Sequence, residues 1–171
     1  MKVLSAQQMR DLEQAAVDNG ATYIKLMEKA GTAAAEALIK YGAESKKVVI
    51  ICGKGNNGGD GYVIGRVLKK YSCKVDIIRL GEPRTTDSKL NAEKAIKLDI
   101  AMVNFPEDKE TAFELIKNAE YIVDAVYGIG FRGALDENTA EIAKFVNTSK
   151  AFVMAVDIPS GVGCDLSLIH I

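Results

Sequence analysis

Val48-Val49-Ile50-Ile51-Cys52 runs directly into Gly53-Lys54-Gly55-Asn56-Asn57-Gly58-Gly59-Asp60-Gly61, and then into Tyr62-Val63-Ile64-Gly65-Arg66-Val67-Leu68. A β-branched run bounded by glycine is how a strand buried on both faces reads, and Val63, Ile64, Val67 and Leu68 then take helical spacing. The stretch predicts strand, glycine-rich turn and helix. Five glycines lie within residues 53–61, which lets the backbone reach positive φ and a ligand approach without meeting Cβ atoms. Unpaired N–H groups at the start of the following helix attract anionic oxygens.

Gly53-Lys54-Gly55-Asn56-Asn57-Gly58 satisfies the G-x-G-x-x-G dinucleotide pattern, with Glu82 placed to act as its ribose acid. A P-loop is excluded, because no Gly-Lys is followed by Ser or Thr. Asn56, Asn57 and Asp60 depart from both patterns. A carboxylate at that point repels phosphate, so the run suits hydroxyls, amides or a cation; as plain turn chemistry, Asp60 would cap the helix.

Helices alternate with strands on both sides of this unit. Ser5 and Gln8 form a capping box for a first helix with an apolar face of Met9, Leu12, Ala15, Ala16 and Val17. A second helix is expected from Ile24 to Tyr41, with Leu26, Met27, Ala30, Ala33, Ala34, Ala37 and Leu38 inward and Gly42 as its stop. Strands are expected at Val75–Leu80, Ala101–Asn104, Tyr121–Val126 and Phe152–Ile158. Helices are expected at Ser88–Lys97, capped by Asp87, from near Asp108, and at Ala140–Val146. This alternation predicts an α/β fold, a three-layer α/β/α Rossmann-like sandwich with a mainly parallel sheet, preceded by two N-terminal helices.

Ligands in such sheets bind beyond the carboxyl ends of the strands where the strand order reverses, so the residues after Cys52, Val126 and Val156 should converge. Asp124, between Val123 and Ala125 in a buried strand, must be hydrogen-bonded or paired with a cation. After it, Tyr127-Gly128-Ile129-Gly130-Phe131-Arg132-Gly133 is a second formal G-x-G-x-x-G, but Leu135–Asn138 delays the helix. Arg132 is open to two readings, a phosphate clamp or a solvated side chain. In Val156-Asp157-Ile158-Pro159-Ser160-Gly161 a carboxylate and a hydroxyl stand at a strand end, where they either cap a helix or line the cleft.

The run Gly53–Gly61 closely resembles the signature of the NAD(P)H-hydrate epimerase family, the YjeF N-terminal domain. Val156–Gly161 matches the family's V-D-I-P-S-G motif. Leu26-Met27-Glu28-Lys29-Ala30-Gly31 resembles its second-helix motif, which more often has Asn where this chain has Lys29. The resemblance covers almost the whole chain. It implies an isomerase that interconverts the R and S forms of NADHX and NADPHX in cofactor repair. By this resemblance Asp157 is the catalytic acid/base, and substrate is held by Asn56, Asn57, Gly58, Gly59, Asp60, Gly128, Ile129, Gly130, Phe131, Arg132, Gly133, Ala134 and Asp157. A potassium ion is expected on Asn57, Asp124 and Ser160, hard oxygen donors suited to a hard cation. A homodimer and a fused or separate ADP/ATP-dependent dehydratase are further partners the resemblance raises.

Two other classes stay open. A dehydrogenase would use the glycine loop for NAD, and a hydride-transfer assay would reveal it. A non-catalytic binding module on the same fold would have no need for Asn57, Asp60, Asp124, Asp157 and Ser160 together.

At 171 residues the chain accommodates one domain with a substantial core. A formal net charge of -1 gives no electrostatic case for nucleic acid. Nothing approaches the roughly 20 apolar residues that span a bilayer, and the N-terminus lacks a signal-peptide pattern. Cys52, Cys73 and Cys164 show neither C-x-x-C spacing nor an even count, which points to a reducing, cytoplasmic setting. Leu166-Ser167-Leu168-Ile169-His170-Ile171 matches a translation of a transposon adapter used in sequencing libraries. The expectation is a domain over 1–165, shortened at its C-terminal end, with 166–171 a non-native tail and His170 without a catalytic role.

Overall fold

The computed structural model describes residues 5–163. Cys164, His170 and the tail expected at 166–171 lie outside the described residues. The elements in chain order are α1 (Ala6–Asp18), α2 (Tyr23–Leu38), β1 (Lys47–Cys52), α3 (Asn56–Lys70), β2 (Lys74–Arg79), α4 (Thr86–Ile96), β3 (Ala101–Asn104), α5 (Lys109–Asn118), β4 (Tyr121–Ala125), α6 (Glu137–Thr148) and β5 (Phe152–Ala155). The five strands form one parallel sheet in the order β3-β2-β1-β4-β5. The order reverses between β1 and β4, which sets the crevice beside the loops that follow those two strands.

β1 is the central strand, apolar and buried from Val48 to Cys52 because both its faces are covered. Val48, Ile50 and Cys52 join the core under α2, α3 and α4, while Val49 and Ile51 join the core under α5 and α6. The result is the expected three-layer sandwich. α2 is part of it: Met27, Gly31, Ala35 and Leu38 are its buried residues. Met27 and Leu38 were expected inward, but Ala30 and Ala33 are exposed, and Gly31 and Ala35 take their place. Gly31 decides the register, because a Cβ there would lie 2.5 Å from the Val63 Cβ of α3 and 2.9 Å from the Asp60 carbonyl oxygen. At the far end, α2 runs through a π-helical turn, Ile39–Ala43, and stops at Gly42 with φ 92°.

α1 forms with its predicted capping box, Ser5 Oγ accepting from the Gln8 N–H and Gln8 Oε1 from the Ser5 N–H. Its apolar face is not buried: Met9 and Leu12 are exposed. The helix predicted at Ser88 begins two residues earlier, and its cap is Thr85, not Asp87, whose hydroxyl accepts the Ser88 N–H. β4 and β5 are shorter than expected, since Val126 and Val156–Ile158 already belong to the loops of the site.

The largest correction concerns the glycine run. α3 starts at Asn56, so Gly58, Gly59 and Gly61 are helical residues and none of the glycines in 53–61 has positive φ. Their smallness serves close approach. A Cβ on Gly58 would fall onto the Gly53 carbonyl oxygen, and one on Gly61 would sit 2.7 Å from Cys52 Sγ and 2.8 Å from the Ala125 Cβ. The helix therefore lies flat against the end of β1. Asp60, one turn inside the helix, cannot be its cap.

Candidate functional site

A cleft of about 1220 Å³ opens over the carboxyl ends of the strands. Asn56, Asn57, Asp60, Gly128, Ile129, Gly130, Phe131, Arg132, Ala134 and Asp157 line it. The other expected site residues lie off its lining. Gly58 and Gly59 are buried behind the first turn of α3, Gly133 takes φ 87° in the loop beyond, and Asp124 and Ser160 stand beneath the loops that form the wall.

Three loops are stitched together at the strand-order reversal. The Gly53 N–H donates to the Ala125 carbonyl at 3.0 Å, and a side chain on Gly53 would collide with the Val126 carbonyl, so the ends of β1 and β4 touch. The Asn57 amide donates to the Tyr127 carbonyl at 2.8 Å. The Tyr127 N–H in turn donates to Ser160 Oγ at 3.0 Å. Ser160 gives its hydroxyl proton to Asp124 Oδ1 at 2.7 Å and its N–H to Oδ2 at 2.8 Å. A third donor, the Val126 N–H, reaches Asp124 Oδ1 at 3.2 Å. The polar group stranded in a buried strand thus anchors the β5 loop to the β4 loop.

Asn57, Asp124 and Ser160 fit a hard monovalent cation by donor chemistry, an amide oxygen, a carboxylate and a hydroxyl linked through the backbone N–H and C=O of one residue, Tyr127. Asn57 Oδ1 accepts no hydrogen bond from a described residue. Among the described residues no group of three His, Cys, Asp or Glu side chains gathers as a transition-metal site would require.

Asp157 and Asp60 line the cleft in different surroundings. Asp157 accepts the Ile129 N–H at 2.7 Å, and Gly128 makes room for it, since a Cβ there would collide with the carboxylate. The Asp60 carboxyl makes no hydrogen bond or ion pair with another described residue. Burial, then the carboxylates of Glu13 and Asp157, push it up to about 7. At neutral pH it is divided between acid and carboxylate, the condition for moving a proton in either direction.

The sequence reading missed several lining residues. Glu13 and Arg10 come from α1, Lys54 from the β1 loop, Arg84 from the β2 loop and Asp136 from the N-cap of α6. Asp136 accepts from the Tyr127 hydroxyl at 2.8 Å and from the Thr139 N–H at 3.0 Å. Burial opposes its ionisation, but Thr139, Tyr127 and Lys54 hold its carboxyl below the usual range. Tyr127 also stacks on Phe131, ring centroids 4.6 Å apart. Only Asp136 carried a signal, as an N-cap ahead of a helix. Glu82 is corrected in the other direction: it pairs with Arg79 at 3.2 Å and is off the cleft, so the ribose acid of the dinucleotide pattern is missing. The buried Cys52, pushed up by burial, is a core residue and no nucleophile.

Residues 24–170 match the family model for the YjeF-related protein N-terminus. The chain is 33% identical to an NAD(P)H-hydrate epimerase of Limosilactobacillus fermentum, with 96% of this chain and 77% of that protein covered. It is 34% identical to one of Elusimicrobium minutum, with 96% and 78% covered. With a bifunctional NAD(P)H-hydrate repair enzyme, Nnr, of Pyrobaculum aerophilum it shares 37% identity over 85% of its length, spanning 30% of that longer protein. The crystal structure of the yeast protein ynu0 superposes with a TM-score of 0.85 at 25% identity, covering 94% of this chain and 71% of the other. The chain therefore belongs to the family of YjeF-related N-terminal domains, among relatives named NAD(P)H-hydrate epimerase.

Proposed function

We propose that this domain is an isomerase, an NAD(P)H-hydrate epimerase that interconverts the R and S forms of NADHX and NADPHX. The observation that carries the reading is the convergence of Asp60 and Asp157 on one cleft wall, beside the linked Asn57, Asp124 and Ser160, at the strand-order reversal.

The reacting carbon bears a hydroxyl next to the ring nitrogen. As the nitrogen lone pair forms a C=N bond, the C–O bond breaks and the hydroxyl takes up a proton and leaves as water. Water then adds to either face of the planar cation and gives its proton back to a carboxylate. Asp157, on the wall and held by the Ile129 N–H, is the acid/base and stabilises the cation. Asp60 positions the ring and, with a value near 7, exchanges protons at the working pH. The loop from Gly128 to Ala134 wraps the phosphates.

Asn57, Asp124 and Ser160 would hold a potassium ion, which when bound supplies a fixed positive charge at the junction of the three loops. An ADP/ATP-dependent dehydratase, fused or separate, would consume the S hydrate, and the bifunctional relatives support the fused arrangement. A homodimer is part of the reading, and exposed Met9, Leu12, Phe152 and Val153 offer apolar surface for it. The two described cysteines are free and buried, which suits the reducing cytoplasm. Among the described residues no helix is long and apolar enough to cross a membrane.

The test couples the protein to an S-specific dehydratase and supplies R-hydrate alone. Reduced cofactor should appear with the wild-type protein and not with Asp157→Ala, whose circular dichroism should be unchanged. Full turnover by Asp157→Ala would remove that residue from the mechanism; no turnover by the wild-type protein would refute the assignment.

A further inference from the structure

The cleft passes the ends of all five strands, from Asp157 after β5 to Glu107 after β3, with Lys54 after β1 and Arg84 after β2 between them. Neighbouring strands lie about 4.8 Å apart, so the β5 and β2 ends are separated by roughly 14 Å. With the reacting ring at Asp157, a dinucleotide has to extend its adenosine half toward β1 and β2. The inference rests on the epimerase reading for which end of the cleft holds the ring.

Lys54 and Arg84 line that half, within charge-interaction range of Asp136 and Tyr127 respectively. The side chain of neither makes a hydrogen bond or salt bridge with a described residue. Their backbones are tied, the Arg84 N–H donating to the Lys54 carbonyl at 2.8 Å, so the two loops form one unit. The Lys54 stem lies over Gly81, where a Cβ would meet Lys54 Cε at 2.5 Å and where φ is 102°. A glycine is required there on both counts, and its absence of side chain gives the lysine its path along the wall. Among the neighbouring acids, Glu82 is held by Arg79, Asp136 is hydrogen-bonded by Tyr127 and Thr139 and also feels the Lys54 charge, and Glu107 remains on the lining.

In dinucleotide folds the residues at the end of the second strand read the adenosine ribose, an acid for the free 2′-hydroxyl and an arginine for a 2′-phosphate. Here the acid is turned away and the arginine faces the cleft. We propose that Lys54 and Arg84 form a phosphate subsite for the 2′-phosphate of the adenosine ribose, so that the domain favours NADPHX over NADHX. The guanidinium supplies paired donors to two phosphate oxygens, and the ammonium supplies a compact second charge.

The experiment measures kcat/KM for NADPHX and NADHX with the wild-type protein, Lys54→Ala and Arg84→Ala. The wild-type ratio should favour NADPHX, and Arg84→Ala should lower that ratio about 10- to 100-fold, the effect of a charge-assisted bond, through KM. Parallel losses on both substrates would assign the cations to the shared diphosphate and overturn the proposal, as would no loss on either. Calorimetric titration with adenosine 2′,5′-bisphosphate and with AMP separates this from the epimerase reading. Tighter binding of the bisphosphate that Arg84→Ala abolishes supports the subsite even if neither hydrate is turned over; equal binding of the two nucleotides overturns it.

Discussion

Replacing Asp60 with Asn removes a carboxyl that burial and the Glu13 and Asp157 carboxylates push up to about 7 in the folded protein, against 3.8 when unperturbed. Between those two values the folded chain keeps a proton that the unfolded chain has lost. Wild-type stability therefore falls as pH rises, by about 1.4 kcal/mol for each pH unit in that interval. The favourable contribution is complete below pH 3.8 and gone once the pH has passed through about 7, a span on the order of 4 kcal/mol. An asparagine of nearly the same shape does not titrate. Relative to wild type, Asp60→Asn should gain about 3 kcal/mol between pH 5 and pH 8. Urea unfolding midpoints at pH 5, 6, 7 and 8 in one buffer system and at constant ionic strength read the difference directly. A gap between the two proteins that stays constant, or that moves in favour of wild type, would refute the claim that Asp60 is forced toward its neutral form. Glu13→Gln supplies a check on cause: it removes one of the two repelling carboxylates, so the pH-dependent fall should end at a lower pH and its total span should shrink.

Three more outcomes follow from packing and charge. Gly58→Ala sets a methyl against the Gly53 carbonyl oxygen and should cost about 3 kcal/mol or more, whereas Gly59→Ala meets the movable end of Met27 at 2.6 Å and should cost roughly 1 kcal/mol; equal losses in urea midpoint would contradict the close-approach account. Cys52 and Cys73 are buried, and burial pushes both thiols up, so a disulfide reagent should label them only in denaturant; peptide mapping that finds Cys52 labelled in the native protein would overturn its place in the core. Arg66→Met breaks bonds to Glu28 at 2.6 Å and to Asn91 at 2.9 Å that join α2, α3 and α4, and should lower stability by about 1–3 kcal/mol, while Glu28→Gln should cost less because that carboxylate is half exposed; thermal melts of both variants would show the order.

The parts of the fold legible in the chain were those governed by neighbours in sequence. Ser5 and Gln8 are three residues apart, so their reciprocal cap could be read directly. An unbroken apolar strand such as Val48–Cys52 announces burial on both faces, and the alternation of strands with helices leaves a parallel sheet as its natural outcome. The glycine run shows where such reading stops. Its composition suggests a loop of positive φ, yet Gly58, Gly59 and Gly61 are helical, and they are glycine because Gly53, Met27, Cys52 and Ala125 leave no room for a Cβ; two of those four contacts come from distant segments. On α2, Met27 and Leu38 were read correctly as inward, but Gly31 and Ala35 were missed, since the close approach of Val63 and Asp60 of another helix selects Gly31.

For the site, the sequence by itself determined which residue types could do the chemistry and that they stand in or after the strand ends, at Asn57, Asp60, Asp124, Asp157 and Ser160. Only the tertiary structure decided that Ser160 reaches Asp124, that Asp157 meets the Ile129 N–H, and that α1 brings Glu13 near Asp60. It also decided that Glu82 leaves the cleft while Lys54 and Arg84 enter it. A strand's ends are set by its own residues, but which ends lie side by side depends on strand order. The proton affinity of a carboxyl likewise depends on the water and charge around it, and neither is written in the residue that carries it.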